Sequence, residues 1–274
     1  MTDSETAHRL QKIRCFLLDM DGTIYLGDKL FDFTTSFLHT VLQTGRTYRF
    51  FTNNSSKNRQ AYLDKLARMG IAIPPEWMYI SNQVAIRILK DRYPGGHMMV
   101  LGTSCLLQDF QEAGFLVNAG DRPDAVVLGF DTDITYQDIW AACDAVRAGA
   151  AFYGVNPDWN CPVENGGWMP DCGSLAKVIE ASTGVTPEFF GKPTRHTLEF
   201  ILDETGFRPE ELAVIGDRLY TDIALAHQTP VTSILVLTGE ASLKEAETSP
   251  TPPDMIVESL AELRDILIQA SPLG

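Results

Sequence analysis

Several features that define other classes of protein are scarce or missing in this sequence of 274 residues. No stretch approaches the roughly 20 apolar residues that a membrane-spanning helix needs, and the segment Met1–Gln11 is polar. The five cysteines are scattered and form no C-x-x-C pair, which argues against a zinc site and against a disulfide framework. These absences predict a reduced, cytoplasmic protein that does not associate with membranes.

Positive charge is also in short supply. The chain has 22 Lys and Arg residues against 36 Asp and Glu residues, which gives a formal net charge of -14. Nucleic acids and anionic membranes need a basic protein face, so we expect neither as a main partner. A small anionic substrate stays compatible with this charge, because a bound cation can invert its sign locally.

What the sequence does contain is a series of short apolar runs that alternate with amphipathic helical patterns. Strand-sized runs lie, for example, at Cys15–Asp19, Tyr48–Thr52, Ala125–Leu128 and Leu212–Ile215. This alternation predicts an α/β fold with a doubly wound, Rossmann-like parallel sheet. Ligands of such sheets bind beyond the carboxyl ends of the strands, so functional residues are expected directly after each strand.

Pairs of aspartates follow two of these predicted strands. Asp19 and Asp21 come after the first strand in the segment DMDGT, and Asp217 and Asp222 come after a later strand in GDRLYTD. A solvated Asp-Gly turn is an alternative interpretation of the first pair, and helix capping would explain Asp222 but not Asp217. If the four carboxylates converge at one sheet edge, their repulsion calls for a hard cation, and Mg²⁺ fits best where phosphate supplies further ligands.

Groups suited to binding phosphate follow two other strands. Thr52, Asn53 and Asn54 offer hydroxyl and amide donors ahead of a helix, and Lys192 stands between a glycine and a proline. Helix capping and an ordinary surface lysine are the alternatives, and the P-loop pattern G-x-x-x-x-G-K-[ST] is absent. Taken together with the aspartates, these residues predict a site for phosphoryl transfer.

The order of these motifs resembles the phosphatase branch of the haloacid dehalogenase superfamily: D-x-D-G-T, then a hydrophobic residue with T-N, then a lysine, then G-D-x-x-x-T-D. Within that branch the chain is similar to the class IIA capped group, which includes 4-nitrophenylphosphatases, nucleotide monophosphatases and phosphoglycolate phosphatases. The resemblance implies a hydrolase core at 1–80 and 188–274 with an inserted α/β cap domain at 81–187. A nicotinamide-dependent oxidoreductase would share the alternating architecture, but no G-x-G-x-x-G follows any strand.

The resemblance also implies a role for each candidate residue. Asp19 would be the nucleophile and Asp21 the general acid and base, while Thr52 and Lys192 would hold the phosphate. Mg²⁺ would be bound by the side chain of Asp19, the backbone carbonyl of Asp21 and the side chain of Asp217, with Asp222 in support. Four residues would contact the substrate: Asn53, Asn54, Asn156 and Arg218. A turn is an alternative explanation for the Asn156-Pro157-Asp158 segment, and a surface ion pair is one for Arg218.

The activity implied is Mg²⁺-dependent hydrolysis of a phosphomonoester through an aspartyl-phosphate. The substrate would be a small phosphorylated metabolite: a sugar phosphate, a nucleotide monophosphate, phosphoglycolate or an aryl phosphate. Asp21 favours a phosphatase over a dehalogenase, because an alkoxide needs a proton to leave and a halide does not. A dehalogenase or phosphomutase on this scaffold and a catalytically silent binding protein stay open as alternatives. Because caps in this class pair, a homodimer is the expected oligomeric state.

Overall fold

A computed structural model describes residues 9–163 and 167–269 of the chain. Its strands are β1 Cys15–Leu18, β2 Tyr25–Leu26, β3 Lys29–Leu30, β4 Thr47–Thr52, β5 Met78–Ile80, β6 His97–Leu101, β7 Leu116–Val117, β8 Ala125–Leu128, β9 Ala151–Gly154, β10 Asn160–Val163, β11 Gly167–Pro170, β12 Glu188–Phe189, β13 Leu212–Gly216, β14 Thr232–Val236 and β15 Met255–Val257. Its helices are α1 Thr34–Gln43, α2 Arg59–Arg68, α3 Ser81–Arg92, α4 Ser104–Glu112, α5 Tyr136–Arg147, α6 Cys172–Thr183, α7 Arg195–Thr205, α8 Ala224–Ala226, α9 Leu243–Thr248 and α10 Leu260–Gln269.

The described residues form two compact units. Unit 1 takes its residues from Met1–Thr52, Leu63–Tyr79 and Leu198–Gly274, and unit 2 takes its residues from Asn53–Tyr62 and Ile80–Thr197. The predicted domain boundaries stand at residues 80/81 and 187/188. The units change at Tyr79/Ile80 and Thr197/Leu198, and the short segment Asn53–Tyr62 is grouped with unit 2. The boundaries of the core and the cap stay a prediction.

Unit 1 is built on a six-stranded sheet with the order β15-β14-β13-β1-β4-β5. β1 pairs in parallel with both β4 and β13, and the parallel pairing continues through β14 to β15. All residues of β1, β13 and β14 are buried. The unbroken apolar character of β1 and β13 follows from this position, since a central parallel strand is covered on both faces. α1 buries Phe37, Leu38 and Val41, and the chain turns away from it at Gly45, which has a φ of 75°.

Unit 2 contains a second parallel sheet, with the order β12-β9-β8-β6-β7, and an antiparallel hairpin of β10 and β11. Its core joins β8 and β9 to α5 and α6 through a cluster of buried residues that includes Val126, Phe152 and Ile179. α6 begins at the capping side chain of Asp171 and ends at Gly184 in the left-handed conformation.

The two parallel sheets with their helices confirm the predicted α/β class, with a Rossmann-like core and a second α/β region. No helix in the described ranges 9–163 and 167–269 has the length and apolarity to cross a lipid bilayer.

Candidate active site

Three of the predicted aspartates come together in unit 1. Asp19 follows β1, Asp217 follows β13, and Asp222 lies in the short helical turn Leu219–Ile223. Because β1 and β13 pair in parallel, their carboxyl ends lie at the same sheet edge. One carboxylate oxygen from each aspartate lies within 4.8 Å of the other two. This is a set of oxygen ligands of the kind that Mg²⁺ prefers.

Asp217 is the most telling member of this cluster. Its Oδ2 accepts a hydrogen bond of 2.7 Å from the backbone N–H of Glu240. Its Oδ1 is buried and has no hydrogen-bond partner among the described residues. Burial and, after it, the negative charge of Asp222 raise the pKa of Asp217 to about 7. A buried carboxylate oxygen without a donor is costly, and a bound cation would remove that cost.

Glycines make room for these carboxylates. A Cβ added to Gly239 or Gly22 would overlap the carboxylate of Asp217, and a Cβ added to Gly216 would overlap that of Asp222. Gly22 also has a φ of 79°, which disfavours any other residue. The D-G of the first motif and the G-D of the last are therefore needed for the close approach of backbone to carboxylate.

Asp21 has a different environment in the same unit. Its Oδ2 lies 3.3 Å from the hydroxyl of Tyr25, which donates a hydrogen bond to it. Tyr25 is fully buried, and the ammonium group of Lys65 lies 3.8 Å from the centroid of its ring. This cation–π contact and the burial hold the tyrosine in place. Tyr25 was not among the residues predicted from the sequence, although it stands only four positions after Asp21.

Lys192 and Asn53, both predicted to bind phosphate or substrate, meet in unit 2. Lys192 is 2% exposed and Asn53 is 5% exposed, so neither is a surface residue. The side chain of Asn53 accepts a hydrogen bond from the backbone N–H of Lys192 at 2.8 Å and donates one to its carbonyl at 2.9 Å. The alternative of an ordinary surface lysine is therefore wrong. Thr52, at the end of β4 in unit 1, is also buried.

The remaining predicted substrate contacts are engaged with other protein groups. Asn156 has no exposed surface, and its amide is hydrogen bonded to three side chains: Ser55, Asp158 and Asp171. The Oδ1 of Asn54 accepts hydrogen bonds from the backbone N–H and the hydroxyl of Ser56. The Nε of Arg218 lies 2.9 Å from a carboxylate oxygen of Glu240, which agrees with the ion-pair alternative. For these three residues the substrate-binding role stays a prediction, and the contacts favour support of the local structure.

The loop after β14 also contributes to the carboxylate cluster and was missed from the sequence. Besides the bond from Glu240 to Asp217, the hydroxyl of Thr238 donates a hydrogen bond of 2.6 Å to the carbonyl of Gly22. β14 is a neighbour of β13, so its carboxyl end lies at the same edge of the sheet. Applying the strand-end rule to this apolar run would have identified the loop.

Comparison with known proteins agrees with this geometry. The sequence profile of the haloacid dehalogenase-like hydrolases matches residues 16–116, and a second profile, HAD-hydrolase-like, matches residues 189–263. The acid sugar phosphatase of Staphylococcus aureus (strain MRSA252) is 32% identical over 253 residues, which cover 92% of this chain and 97% of that protein. The chain belongs to the haloacid dehalogenase-like hydrolases.

Solved structures of proteins similar to this haloacid dehalogenase-like hydrolase include two with named activities. The 4-nitrophenylphosphatase of Thermotoga maritima has a TM-score of 0.89 and 39% identity, with 94% of this chain and 98% of that chain covered. The glycerol phosphate phosphatase of Mycobacterium tuberculosis, solved in complex with magnesium, has a TM-score of 0.84 and 30% identity, with 93% and 77% covered. The predicted family and the predicted fold are thereby confirmed.

Proposed function

We propose that this hydrolase is a Mg²⁺-dependent phosphatase that cleaves a small phosphorylated metabolite. The observation that carries the proposal is the cluster of Asp19, Asp217 and Asp222, in which one buried oxygen of Asp217 has no donor among the described residues. The names of the relatives agree: an acid sugar phosphatase, a 4-nitrophenylphosphatase and a glycerol phosphate phosphatase. Phosphatase activity is common to all three, whereas their substrates differ.

The donor set fits Mg²⁺ in its chemistry. The ligands would be the side chains of Asp19 and Asp217 and the backbone carbonyl of Asp21, with Asp222 in support, all of them oxygen donors. The glycines that make room for Asp217 and Asp222 leave the carboxylates free of overlap with the backbone. When bound, the ion neutralises charge on the phosphate and on the aspartates.

Asp19 and Asp21 have different roles in two successive displacement reactions at phosphorus. A carboxylate oxygen of Asp19 attacks phosphorus and forms an aspartyl-phosphate, while the bond between phosphorus and the ester oxygen breaks. Protonated Asp21 gives its proton to the departing alkoxide, so that an alcohol leaves. Asp21 then takes a proton from water, the water oxygen attacks phosphorus, and the bond to Asp19 breaks to release inorganic phosphate.

Thr52 and Lys192 are assigned to binding the phosphate group, with the backbone of Asn53 assisting. A threonine hydroxyl and a lysine ammonium supply donors, and the ammonium also offsets the negative charge of the phosphate oxygens. The burial of Lys192 supports this assignment, because a lysine that is 2% exposed is not an ordinary surface charge.

We infer a hydrolase core made from 1–80 and 188–274, most of which belongs to unit 1, and an inserted cap at 81–187, all of which belongs to unit 2. The second parallel sheet of unit 2, with its own buried core, supports the existence of a separate α/β cap. Residues of the cap would set the choice among sugar phosphates, nucleotide monophosphates, phosphoglycolate and aryl phosphates.

Two further parts of the proposal concern the assembly and the location of the protein. A cleft of about 320 Å³ lies between α5 and α6, lined in part by Tyr136, Trp140 and Val178. These side chains are 78%, 54% and 49% exposed, an apolar surface that a second copy could cover in a homodimer. Sedimentation of wild type beside Trp140→Glu tests this, since only the wild type should form dimers.

The five free thiols favour a location in the cytoplasm, which cell fractionation would test.

The experiment that tests the activity compares wild type and Asp19→Asn on 4-nitrophenyl phosphate, each with Mg²⁺ and with chelator. We expect metal-dependent release by the wild type and a loss of at least about 10³-fold in Asp19→Asn, because an amide is a poor nucleophile. Asp28→Asn is the matched control, since the Asp28 side chain is 85% exposed and belongs to the same unit.

The outcomes separate the alternatives. Turnover by Asp19→Asn at the wild-type rate would show that Asp19 is not the nucleophile. A wild type that is inactive on the aryl phosphate and on a panel of small phosphate esters would favour the phosphomutase or the silent binding protein. Halide release from a haloacid would favour the dehalogenase.

A further inference from the structure

Unit 2 contains a buried network of amides and carboxylates that are hydrogen bonded to one another. At its centre the amide nitrogen of Asn156 donates to Asp158 at 3.0 Å and to Asp171 at 3.1 Å, while its oxygen accepts from Ser55 at 3.0 Å. All of these residues are almost completely buried. A buried polar group without a hydrogen-bond partner is destabilising, and the hydrogen bonds of this network supply partners for its members.

One branch of this network leads from Asp158 to Lys192 through Asn53. The amide nitrogen of Asn53 donates to Oδ2 of Asp158 at 2.7 Å and to the backbone carbonyl of Lys192 at 2.9 Å. Its oxygen accepts from the backbone N–H of Lys192 at 2.8 Å. Both hydrogens of the amide are therefore used, and the peptide groups on either side of the Lys192 side chain are held by one amide.

Asp158 and the backbone of Lys192 favour the same orientation of this amide. A carboxylate accepts hydrogen bonds, so the NH₂ end of Asn53 faces Asp158, and the oxygen end faces the N–H of Lys192. With the amide reversed, two oxygens would face each other at Asp158, and the N–H of Lys192 would face a donor. The Asp158 side chain thus reinforces the orientation of the group that holds the lysine backbone.

We propose that Asp158 is a positioning residue for Lys192 and acts through the Asn53 side chain. The proposal rests on the proposed function, in which Lys192 binds the phosphate. A lysine ammonium stands on a flexible four-carbon stem, so its position depends on how firmly its backbone is held. A displacement of about 1 Å in such a group can cost up to about 10²-fold in rate. Asp158 would thus affect catalysis without contacting the substrate.

The chain offers a matched control in Asn118 of the same unit. Its oxygen accepts from the backbone N–H of Val100 at 2.8 Å, and its nitrogen donates to the carbonyl of Val100 at 3.1 Å. This is the same two-bond arrangement that Asn53 makes with Lys192, but at an apolar residue. Asn118 has a φ of 52°, so Asn118→Ala should be at least as destabilising as Asn53→Ala.

The test is a set of double-mutant cycles on the full chain with Mg²⁺ and 4-nitrophenyl phosphate. Asn53→Ala, Asp158→Leu and Asn118→Ala are each made in the wild type and in Lys192→Ala, and kcat, KM and inhibition by inorganic phosphate are measured. Leucine is used at position 158 because it has a similar shape and no acceptor, whereas an asparagine oxygen could still accept the bonds made to Oδ2. We expect Asn53→Ala and Asp158→Leu to lower kcat/KM by about 10- to 100-fold, with the same split between kcat and KM as Lys192→Ala and with weaker inhibition by phosphate. In the Lys192→Ala background they should cost nothing further, while Asn118→Ala should stay within about twofold of its parent in both backgrounds.

Two results would overturn the inference. One is that the losses from Asp158→Leu and Lys192→Ala multiply as independent factors; the other is that folded Asp158→Leu has the activity of the wild type. If Asn53→Ala does not fold, Asp158→Leu carries the test alone, since it keeps a similar side-chain shape. An inactive wild type would overturn the proposed function and this inference with it, whereas an active wild type with multiplying losses would overturn the inference alone.

Discussion

The two units treat buried aspartates in opposite ways. In unit 1 one oxygen of Asp217 accepts a backbone N–H, and the other has no partner among the described residues. In unit 2 Asp158 accepts from two side-chain amides, and Asp171 accepts from Asn156 and from the N–H of Cys172. All three carboxylates are buried to a similar degree. Burial alone therefore does not distinguish a metal ligand from a structural carboxylate.

What separates them is whether the protein supplies the donors. A carboxylate that amides already satisfy gains little from a cation, and removing its donors would expose the cost of burying it. A carboxylate with few hydrogen-bond donors, beside two other carboxylates, is stabilised by a bound metal cation. This contrast predicts that Mg²⁺ stabilises unit 1 through Asp217 and that the carboxylates of unit 2 do not contribute to this stabilisation.

The largest expected effect that would break this contrast is at Asp217. Asp217→Asn should lose the rise in melting temperature that Mg²⁺ gives the wild type and should lower turnover by at least about 10²-fold. A metal present at 100 times its dissociation constant stabilises a protein by about 2.7 kcal/mol, an effect that thermal melting detects easily. An unchanged response to Mg²⁺ in this variant would remove Asp217 from the metal site.

The metal-free protein should show a dependence on pH that has a defined sign. The pKa of Asp217 is raised to about 7 in the folded chain, against roughly 3.9 in an unfolded one. Protonation of Asp217 therefore stabilises the folded state. Its contribution to stability is present below about pH 4 and is lost as the pH rises through about 7. In chelator, the melting temperature of the wild type should therefore fall over this range relative to that of Asp217→Asn. Parallel curves for the two proteins would contradict the prediction.

A smaller effect is expected at Asp171, the counterpart in unit 2. Asp171→Asn keeps an acceptor for Asn156 and for the first N–H of α6 but loses the charge, so we expect it to lower the free energy of unfolding by about 1–2 kcal/mol. The increment in melting temperature produced by Mg²⁺ should not change. Denaturant unfolding with and without Mg²⁺ measures both quantities, and a reduced metal increment would mean that the units do not differ in the way described.

The smallest effect concerns Asp21, to which the hydroxyl of Tyr25 donates a hydrogen bond. Tyr25→Phe removes that hydroxyl and should slow hydrolysis of an alkyl phosphate by about three- to tenfold, because proton donation to a poor leaving group depends on the position of the acid. 4-Nitrophenyl phosphate, whose leaving group needs little help, should be hardly affected. Tyr48→Phe, at another buried tyrosine of unit 1, is the control, and equal losses on both substrates would argue against a role for Tyr25.

Much of the fold was predictable because buried parallel strands are apolar throughout. β8 was predicted at its observed bounds, and β1 and β13 each within one residue. The family and the phosphatase activity are also confirmed, since four short motifs in the right order are specific where each alone is not. The roles of the individual residues stay predictions.

The sequence was less informative where contacts between distant residues decide the outcome. The hairpin of β10 and β11 was not predicted, because Asn160–Val163 and Gly167–Pro170 contain prolines and little alternation. The sequence predicts a helix that begins at Tyr220, but the chain forms the turn Leu219–Ile223 and then the short α8. The network around Asn156 links residues about 100 positions apart in sequence, and periodicity carries no information about such pairs.

The three glycines beside the aspartates reverse the usual logic of alanine scanning. At most positions alanine subtracts atoms, and the loss reports what the side chain did. At Gly22, Gly216 and Gly239 it adds a methyl group where a carboxylate already stands. Each substitution would displace the carboxylate of Asp217 or Asp222 without removing any functional group. The acidic residues indicate the chemistry of this hydrolase, but three positions with no side chain determine how closely the backbone can approach the carboxylates.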